Sequence, residues 1–579
     1  MAHATDATSR SRAGSPGARD AFPWAGVLLI GLGLLVARLV YLAWFCPYTL
    51  VEDEAHYWDW SRLPDWSYYS KGPGVAWLIW LMTSLLGESE FGIRAGSALS
   101  GTIATIGIAG IAHEAFARRR VTIGAACAFN LIPFYQVGAL LMTIDMPYVA
   151  CWTVAAWCYM RALHGRGRWA WVGLGGAIAI GFLFKYTMAL ILPGLVIAGW
   201  MAMRGGKKTQ SQEVTESGSH GVRKPSSHEV GGLHRRWVMW AFAGGLVALL
   251  GLLPVLVWNA ERDWPTVRHL LGHLGAKGGD VQHARDPWTP LWFLEFVGMQ
   301  IGLIGPALVL MFRGGGRALR RAESPSAART LVWMGLPLIV FYLLVSLVND
   351  AEGNWAIAGY LTLIPLAAWF ALTGPDRGPE RGPDVVAQGA EARADVDVQD
   401  RARGRHRIMP GWLLVWLVGV LVCLGSLRLD LVARVPLVGG LVPIGRVMGA
   451  DVYAASVERE RLRLLEETGL EPFVMAQNYG RASQLAFYLP GRPRVYCASS
   501  FNEGRKTQFD MWAWSDLSRR EVNLELTGRP AVLNHATQAK WERAFELVES
   551  LGTLEGETKP GRVSYVGYGY RGFTGPKGN

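Results

Sequence analysis

The sequence predicts a polytopic α-helical membrane protein with about eleven or more spans and a small C-terminal α/β domain outside the membrane. Three observations lead there. Apolar runs of 16 to 23 residues recur along most of the 579-residue chain, separated by short polar or basic segments. Each run of ~20 apolar residues can cross a ~30 Å hydrocarbon core, and helices satisfy their own backbone there. The last ~150 residues lose that pattern and alternate short helical and strand-like runs instead. The net charge of +11 sits largely as arginine between apolar runs, so it reads as loop charge retained in the cytoplasm, not as a nucleic-acid surface.

Residues 1–22 are polar and low in complexity, and are expected to form a disordered cytoplasmic tail. The apolar run Phe22–Phe45 is too long for a signal-peptide core and reads as a retained first span. Arg10, Arg12 and Arg19 before it put the N-terminus inside. The piece Pro73–Leu86 is only 14 residues long, and a crossing there would carry Arg118-Arg119-Arg120 outside. It is therefore expected to lie on the outer surface as an interfacial or re-entrant helix, which makes 46–94 one outer loop. The following spans are Ala95–Ala112, Val121–Leu141, Met146–Met160, Trp169–Phe184, Thr187–Met203, Trp237–Trp258, Leu291–Phe312, Leu331–Leu347, Trp355–Leu372 and Trp412–Leu427. Polar cytoplasmic linkers are expected at 204–236 and 373–408, within a membrane domain of 23–428. Residues 429–579 form the extracytoplasmic domain. In it, helices are expected at Ala455–Thr468 and Ser483–Tyr488, and strands at Pro472–Gln477, Arg494–Cys497, Pro530–Leu533 and Val563–Tyr568. The Pro- and Gly-bearing segment Leu431–Met448 is not expected to cross. Of six cysteines only Cys46 and Cys497 are candidates for an exposed pair.

On this topology the charged groups of the outer face collect on one side. Glu52-Asp53-Glu54 emerges just past the first span, among Tyr57, Trp58, Trp60, Trp66, Tyr68 and Tyr69, with Lys71 closing the stretch. Charges at the edge of a bundle are costly, and they are functional candidates by default. In a helix starting there, Asp53 shares a face with Tyr57 and Glu54 with Trp58. These acids either cap that helix or act on a substrate, and the two roles are compatible. Asp145, in an apolar junction before Pro147, is either an ordinary helix start or a second acid of the same face. Lys71 and Lys185 are lone cations between aromatics: Lys185, beside Tyr186, can snorkel to the headgroups, while Gly72-Pro73 fixes the backbone after Lys71. A compact ammonium held in place suits a phosphate or diphosphate, a duty that Arg94 could share. Glu352 and Asn354 add an acid and an amide to the same face, or form a plain solvated turn.

The order of these motifs carries a resemblance. Asp53-Glu54-Ala55-His56-Tyr57-Trp58, Tyr68-Tyr69-Ser70-Lys71-Gly72-Pro73 and Gly87-Glu88-Ser89-Glu90-Phe91-Gly92-Ile93-Arg94 resemble the first periplasmic loop of ArnT-like and protein-mannosyltransferase-like glycosyltransferases. Thr143-Ile144-Asp145-Met146-Pro147, Phe184-Lys185-Tyr186-Thr187, Trp258-Asn259 with Asp263-Trp264-Pro265, Glu352-Gly353-Asn354-Trp355 and Gln484-Leu485-Ala486-Phe487-Tyr488-Leu489-Pro490-Gly491 agree. The resemblance implies a GT-C fold and transfer of a sugar from a polyprenyl-phosphate donor to an acceptor hydroxyl on the extracytoplasmic face of the inner membrane. It makes Asp53 the catalytic base or the orienting acid for the acceptor, with Glu54 its neighbour and Asp145 helping to place the acceptor. Lys71, Lys185 and Arg94 would hold the donor phosphate, with Tyr57, Tyr69, Tyr186, Glu352 and Asn354 around the substrates. Relatives commonly carry two prolines after the lysine, so Gly72-Pro73-Gly74 is expected to loosen this loop. The implied partners are the lipid-linked donor, a lipid, glycan or protein acceptor, and the bilayer, with no nucleic acid. No cofactor is expected: acids at 53, 54, 145 and 352 are available to a divalent ion, but no His/Cys spacing builds a site. The rival class is a lipid or glycolipid flippase, against which stand the absence of a visible two-fold repeat and the gathering of charge on one face.

Overall fold

The computed structural model describes residues 21–202, 227–273, 278–279, 289–321, 324–373, 410–436, 439–559 and 561–573. The expected N-terminal tail, the centres of both linkers and most of the loop after residue 273 lie outside them.

The bundle is built around α4 (Glu90–Phe116), the most enclosed of the long apolar helices. Its buried face is rich in Gly, Ala, Ser and Thr, which lets neighbouring backbones approach closely. A Cβ on Gly107 would stand 2.4 Å from Thr153 Oγ1, and one on Gly110 2.3 Å from the Trp157 ring. That is how α7 (Asp145–Leu163) crosses it. On its other side lies α1 (Trp24–Trp44), whose Arg38 is buried and donates to Asn130 Oδ1 and Gln136 Oε1, both at 2.8 Å. Between α1 and α4 the chain forms α2 (Glu52–Ser61) and α3 (Gly74–Leu86), the latter helical where an interfacial helix was expected.

Several expected spans are broken. Val121–Leu141 is divided into α5 (Arg119–Leu131) and α6 (Pro133–Gly138), because Pro133 cannot donate into the preceding turn. After α8 (Trp169–Phe184) and α9 (Tyr186–Ala202), α10 begins at Ser227 and runs to Leu250, so the polar linker ends before residue 236. It meets α11 (Leu253–Ala260) at 40°. Then come α12 (Pro265–His273), α13 (Leu291–Ile304) and α14 (Ala307–Arg320). The last two form a 96° corner at Gly305-Pro306, where Gly305 has φ +64°. Leu291–Phe312 is therefore not one straight helix. The bundle ends with α15 (Ser326–Val345), α16 (Ile357–Tyr360), α17 (Ile364–Thr373) and α18 (Pro410–Leu427). Among the described residues α1, α4, α15 and α18 are long and apolar enough to cross a membrane, and the two bent pairs bring the number to six. The remaining apolar helices, such as α8 and α9, are shorter.

Residues 428–449 form only short turns among the described residues. Beyond them the chain folds into a small domain: α19 (Ala450–Thr468), β1 (Phe473–Ala476), α20 (Tyr479–Tyr488), β2 (Val495–Cys497), β3 (Ala531–Asn534), β4 (Phe545–Gly552) and β5 (Ser564–Tyr570). The sheet order is β2-β1-β3-β5-β4, with β1 parallel to β2 and β3, and β5 antiparallel to both its neighbours. Strand β4 was not expected; it is an edge strand carrying Glu546 and Glu549 on exposed positions, so its apolar alternation is weak. Cys497 is buried in β2 and Cys46 lies against Arg94, both as free thiols, so the two do not form the exposed pair that the sequence allowed.

Candidate active site

One end of the bundle collects the start of α2, the loop before α3, the start of α7, the end of α8 and the turn at 352–355. Asp145 opens α7, and its Oδ1 takes a hydrogen bond of 2.7 Å from Lys185 Nζ. Its Oδ2 accepts from Asn354 Nδ2 at 3.0 Å. The Tyr148 ring lies 5.5 Å from the same ammonium. Asp145 and Lys185 are thus both nine-tenths buried and satisfy each other. Lys185 is a bound ion-pair partner, not a snorkelling surface lysine.

Lys71 differs. Its ammonium makes no hydrogen bond or ion pair among the described residues, and it stands within electrostatic reach of Lys185, Asp53, Asp145 and Glu352. Burial, then the nearby Lys185 charge, push its pKa down, with Asp53 opposing. The backbone beside it is held firmly. A Cβ on Gly72 would stand 2.2 Å from Leu183 O, and one on Gly74 3.0 Å from Leu183 C and from the Phe184 ring. The Gly-Pro-Gly sequence is therefore no source of slack: the missing side chains let the Lys71 loop lie directly on the end of α8, bringing the two lysines together. This corrects the looser loop expected from the missing second proline.

Asp53 sits in the first turn of α2, exposed to solvent yet surrounded by protein, as a group lining a cleft is. Its carboxylate makes no hydrogen bond or ion pair among the described residues. Burial raises its pKa, with Lys71 and Arg505 pulling the other way and Glu52 and Asp145 adding to the rise. Tyr57, one turn along, is buried, and its phenol is pushed well above its ordinary pKa by burial first and then by the nearby Asp53 and Tyr479. Tyr186 hydrogen bonds to Ser67 at 3.3 Å, and the Tyr69 ring packs on His269 at 4.9 Å. Glu352 is exposed at the same cleft, in reach of Lys71.

Glu54 and Arg94 are the two expected site residues that the structure places elsewhere. Glu54 is fully buried, and Arg94 grips it through Nε to Oε1 at 2.9 Å and Nη2 to Oε2 at 2.7 Å. Arg94 also donates to Tyr48 O and Thr49 O, each at 2.8 Å. The Met142 and Val51 N–H groups donate to Glu54 at 2.7 and 3.1 Å. Both side chains are at most 1% exposed and enclosed by these bonds, so neither faces the cleft. Together they pin the start of α2 to α4 and to the segment leading into Asp145.

The C-terminal domain completes the surroundings of α2. A Cβ on Gly480 would lie 2.5 Å from Glu52 Cβ, so Glu52 presses against the first turn of α20, at the carboxyl end of β1. In parallel sheets this crevice commonly takes a ligand. Here a carboxylate of the membrane domain occupies it. His56 Nδ1 is 3.1 Å from Ser483 Oγ, which also bonds Asp59 Oδ2 at 3.3 Å; the Trp60 indole donates to His56 Nε2 at 3.1 Å. Burial drives His56 down to about 3, keeping it neutral, and lifts Asp59 to about 6. Gln508 Oε1 accepts from the Tyr69 N–H at 2.7 Å, and Arg505 lies over the Tyr479 ring at 5.4 Å. Tyr479, Arg505 and Gln508 belong to no motif, and nothing in the sequence around them marks them as neighbours of α2. Among the described residues no three His, Cys, Asp or Glu groups are arranged to hold a metal ion.

This architecture matches solved structures. ArnT of Cupriavidus metallidurans superposes with a TM-score of 0.59 in its apo state and 0.58 with undecaprenyl phosphate bound, covering 94% of this chain and 98% of ArnT at 16–17% identity. The chain has the fold of ArnT. Residues 70–216 match the dolichyl-phosphate-mannose-protein mannosyltransferase family, a stretch that contains Lys71, Arg94, Asp145, Lys185 and Tyr186. Lipid A galacturonosyltransferase RgtD of Rhizobium johnstonii is 26% identical over 60% of this chain and 66% of its own length. An undecaprenyl phosphate-α-4-amino-4-deoxy-L-arabinose arabinosyl transferase of Pseudomonas fluorescens is 26% identical over 54% of this chain and 50% of its own. The chain thus spans between half and two thirds of these curated relatives. The ArnT-like and protein-mannosyltransferase-like resemblance drawn from the motifs agrees with all three comparisons.

Proposed function

We propose that this chain is a membrane glycosyltransferase that moves a sugar from a polyprenyl-phosphate donor to an acceptor hydroxyl on the extracytoplasmic face, with inversion at the sugar carbon. The observation that carries the reading is the pairing of an unbonded carboxylate, Asp53, with an unbonded ammonium, Lys71, in one cleft. Such transfer needs a base within reach of the attacking hydroxyl and a cation where the phosphate departs. Asp53 takes the hydroxyl proton as the oxygen attacks the anomeric carbon. The bond to the phosphate oxygen breaks, its electron pair leaves with the phosphate, and Lys71 meets the developing charge. Asp145, itself held by Asn354, keeps Lys185 beside the site as an ion pair. Glu54 and Arg94 act through position, fixing the first turn of α2.

The relatives named above act on lipid A or use undecaprenyl-phosphate aminoarabinose, which favours a transferase over a flippase and a glycolipid as the acceptor. On this reading the N-terminus is cytoplasmic, the bundle of 23–428 is multi-pass in the inner membrane, and 429–579 is extracytoplasmic. No obligatory metal takes part. The test is transfer of labelled sugar from an undecaprenyl-phosphate donor to a glycolipid by protein reconstituted in nanodiscs. Product that disappears in Lys71→Ala supports the reading. Lipid movement across vesicles without any product would overturn it in favour of a flippase.

A further inference from the structure

The loop 503–507 of the C-terminal domain is anchored at both ends. Ser499 Oγ donates to Arg505 O at 2.8 Å, and the Thr507 N–H donates to Asp510 Oδ2 at 2.8 Å. One residue on, Gln508 holds the Tyr69 N–H, two positions before Lys71. This fixed loop presents Arg505 and Lys506 to solvent. The Arg505 guanidinium lies over Tyr479, and Tyr479 packs on His56 with ring centroids 4.5 Å apart, one turn along α2 from Asp53. Many arginines of this domain are committed: Arg461, Arg463, Arg481 and Arg492 to carboxylates, Arg529 and Arg571 to backbone carbonyls. The guanidinium of Arg505 makes no hydrogen bond or ion pair among the described residues, so its planar set of donors is free.

We infer that Arg505 is an acceptor-binding residue: it receives a phosphate or carboxylate that the acceptor carries beside the hydroxyl facing Asp53. The inference rests on the transferase reading and adds the acceptor's charge class to it. The cleft explains why such a cation is required. Glu52, Asp53, Asp145 and Glu352 line or border it, so an anionic headgroup would be repelled unless a positive group met it first. Lys71 and Lys185 cannot serve both substrates: they belong to the membrane domain, beside the apolar helices along which a polyprenyl chain must run. Arg505 comes from the water-exposed domain, where a headgroup would enter. A guanidinium suits a phosphate or carboxylate because it offers two parallel N–H bonds.

The test is binding by the full-length protein in nanodiscs, read by intrinsic tryptophan fluorescence, for wild type, Arg505→Gln and Arg505→Lys. Three probes are used: a diphosphorylated glucosamine-disaccharide lipid, its dephosphorylated form, and undecaprenyl phosphate. Arg505→Gln is expected to weaken the diphosphorylated lipid about tenfold or more, the loss of a charge-assisted contact. The other two probes should stay within about twofold, and Arg505→Lys should recover part of the loss. No loss, an equal loss for all three probes, or a loss confined to undecaprenyl phosphate would overturn the assignment; the last would move Arg505 to the donor side. Because Arg505 is exposed and its guanidinium makes no hydrogen bond or ion pair among the described residues, the variant is expected to fold. If wild type fails to bind undecaprenyl phosphate, the transferase reading fails, a result distinct from a failure of Arg505 alone.

Discussion

Replacing Glu54 by Gln separates a positioning acid from a chemical one. The Glu54 carboxylate is sealed from water and takes four hydrogen bonds, two from Arg94 and one each from the N–H groups of Met142 and Val51. A glutamine keeps one acceptor oxygen and turns an NH2 group toward a donor. Arg94, itself 1% exposed, is left with a buried, uncompensated charge. Breaking one side of such a pair costs about 3–5 kcal/mol. The expected outcome is a clear fall in melting temperature of the purified protein, with turnover lost only in proportion to unfolding or displacement of α2. A Glu54→Leu/Arg94→Met double variant should recover part of the stability, because the pair is then removed whole. Asp53→Asn is the contrast: the side chain is exposed and unbonded, so stability should change by under about 0.5 kcal/mol. Turnover should nevertheless fall about 10²–10⁴-fold, the usual worth of a general base. A Glu54→Gln protein that melts like wild type yet loses turnover as Asp53→Asn does would refute the reasoning and return Glu54 to the chemistry.

Other outcomes follow from the same contacts. Gly72→Ala puts a Cβ 2.2 Å from a backbone carbonyl that cannot swing aside, an overpacking cost of about 1–3 kcal/mol; undecaprenyl phosphate affinity should fall as the Lys71 loop lifts from α8. Gly480→Ala drives a methyl into Glu52 Cβ at 2.5 Å, so turnover should drop while the C-terminal domain keeps its own fold, read by limited proteolysis. Turnover against pH should be a narrowed bell. The raised Asp53 loses its anionic form as pH falls, starting above the ordinary aspartate value of about 3.9. The lowered Lys71 loses its proton as pH rises, starting below the ordinary lysine value of about 10.4. Lys71→Arg, whose guanidinium keeps its proton across the range, should remove the alkaline limb, and an unchanged limb would assign it to another group.

The cluster was legible because apolar length and arginine placement assign Asp53, Lys71, Asp145, Lys185 and Glu352 to one predicted side, and the structure gathers these residues at one end of the bundle. What those side chains bond to was not legible. Glu54 and Arg94 are 40 residues apart, and nothing in either motif marks them as partners or distinguishes Glu54 from its neighbour Asp53. Gly72 illustrates the same limit, since a glycine required for close packing reads in sequence as one that permits slack. The broken helices at Pro133 and Gly305-Pro306 carried the right punctuation, but sustained apolarity on both sides masked it. Arg505 and Tyr479 escaped because they reach the cleft through docking of a second domain, which depends on Glu52 against α20 and on Gln508 against Tyr69.

The most direct test of the central claim is a single-turnover experiment on Asp53→Asn, with donor binding and product formation followed in the same sample. The account predicts that undecaprenyl-phosphate sugar binds as tightly as to wild type while product forms at least about a hundredfold more slowly. Product at the wild-type rate from a protein that lacks this carboxylate would contradict it.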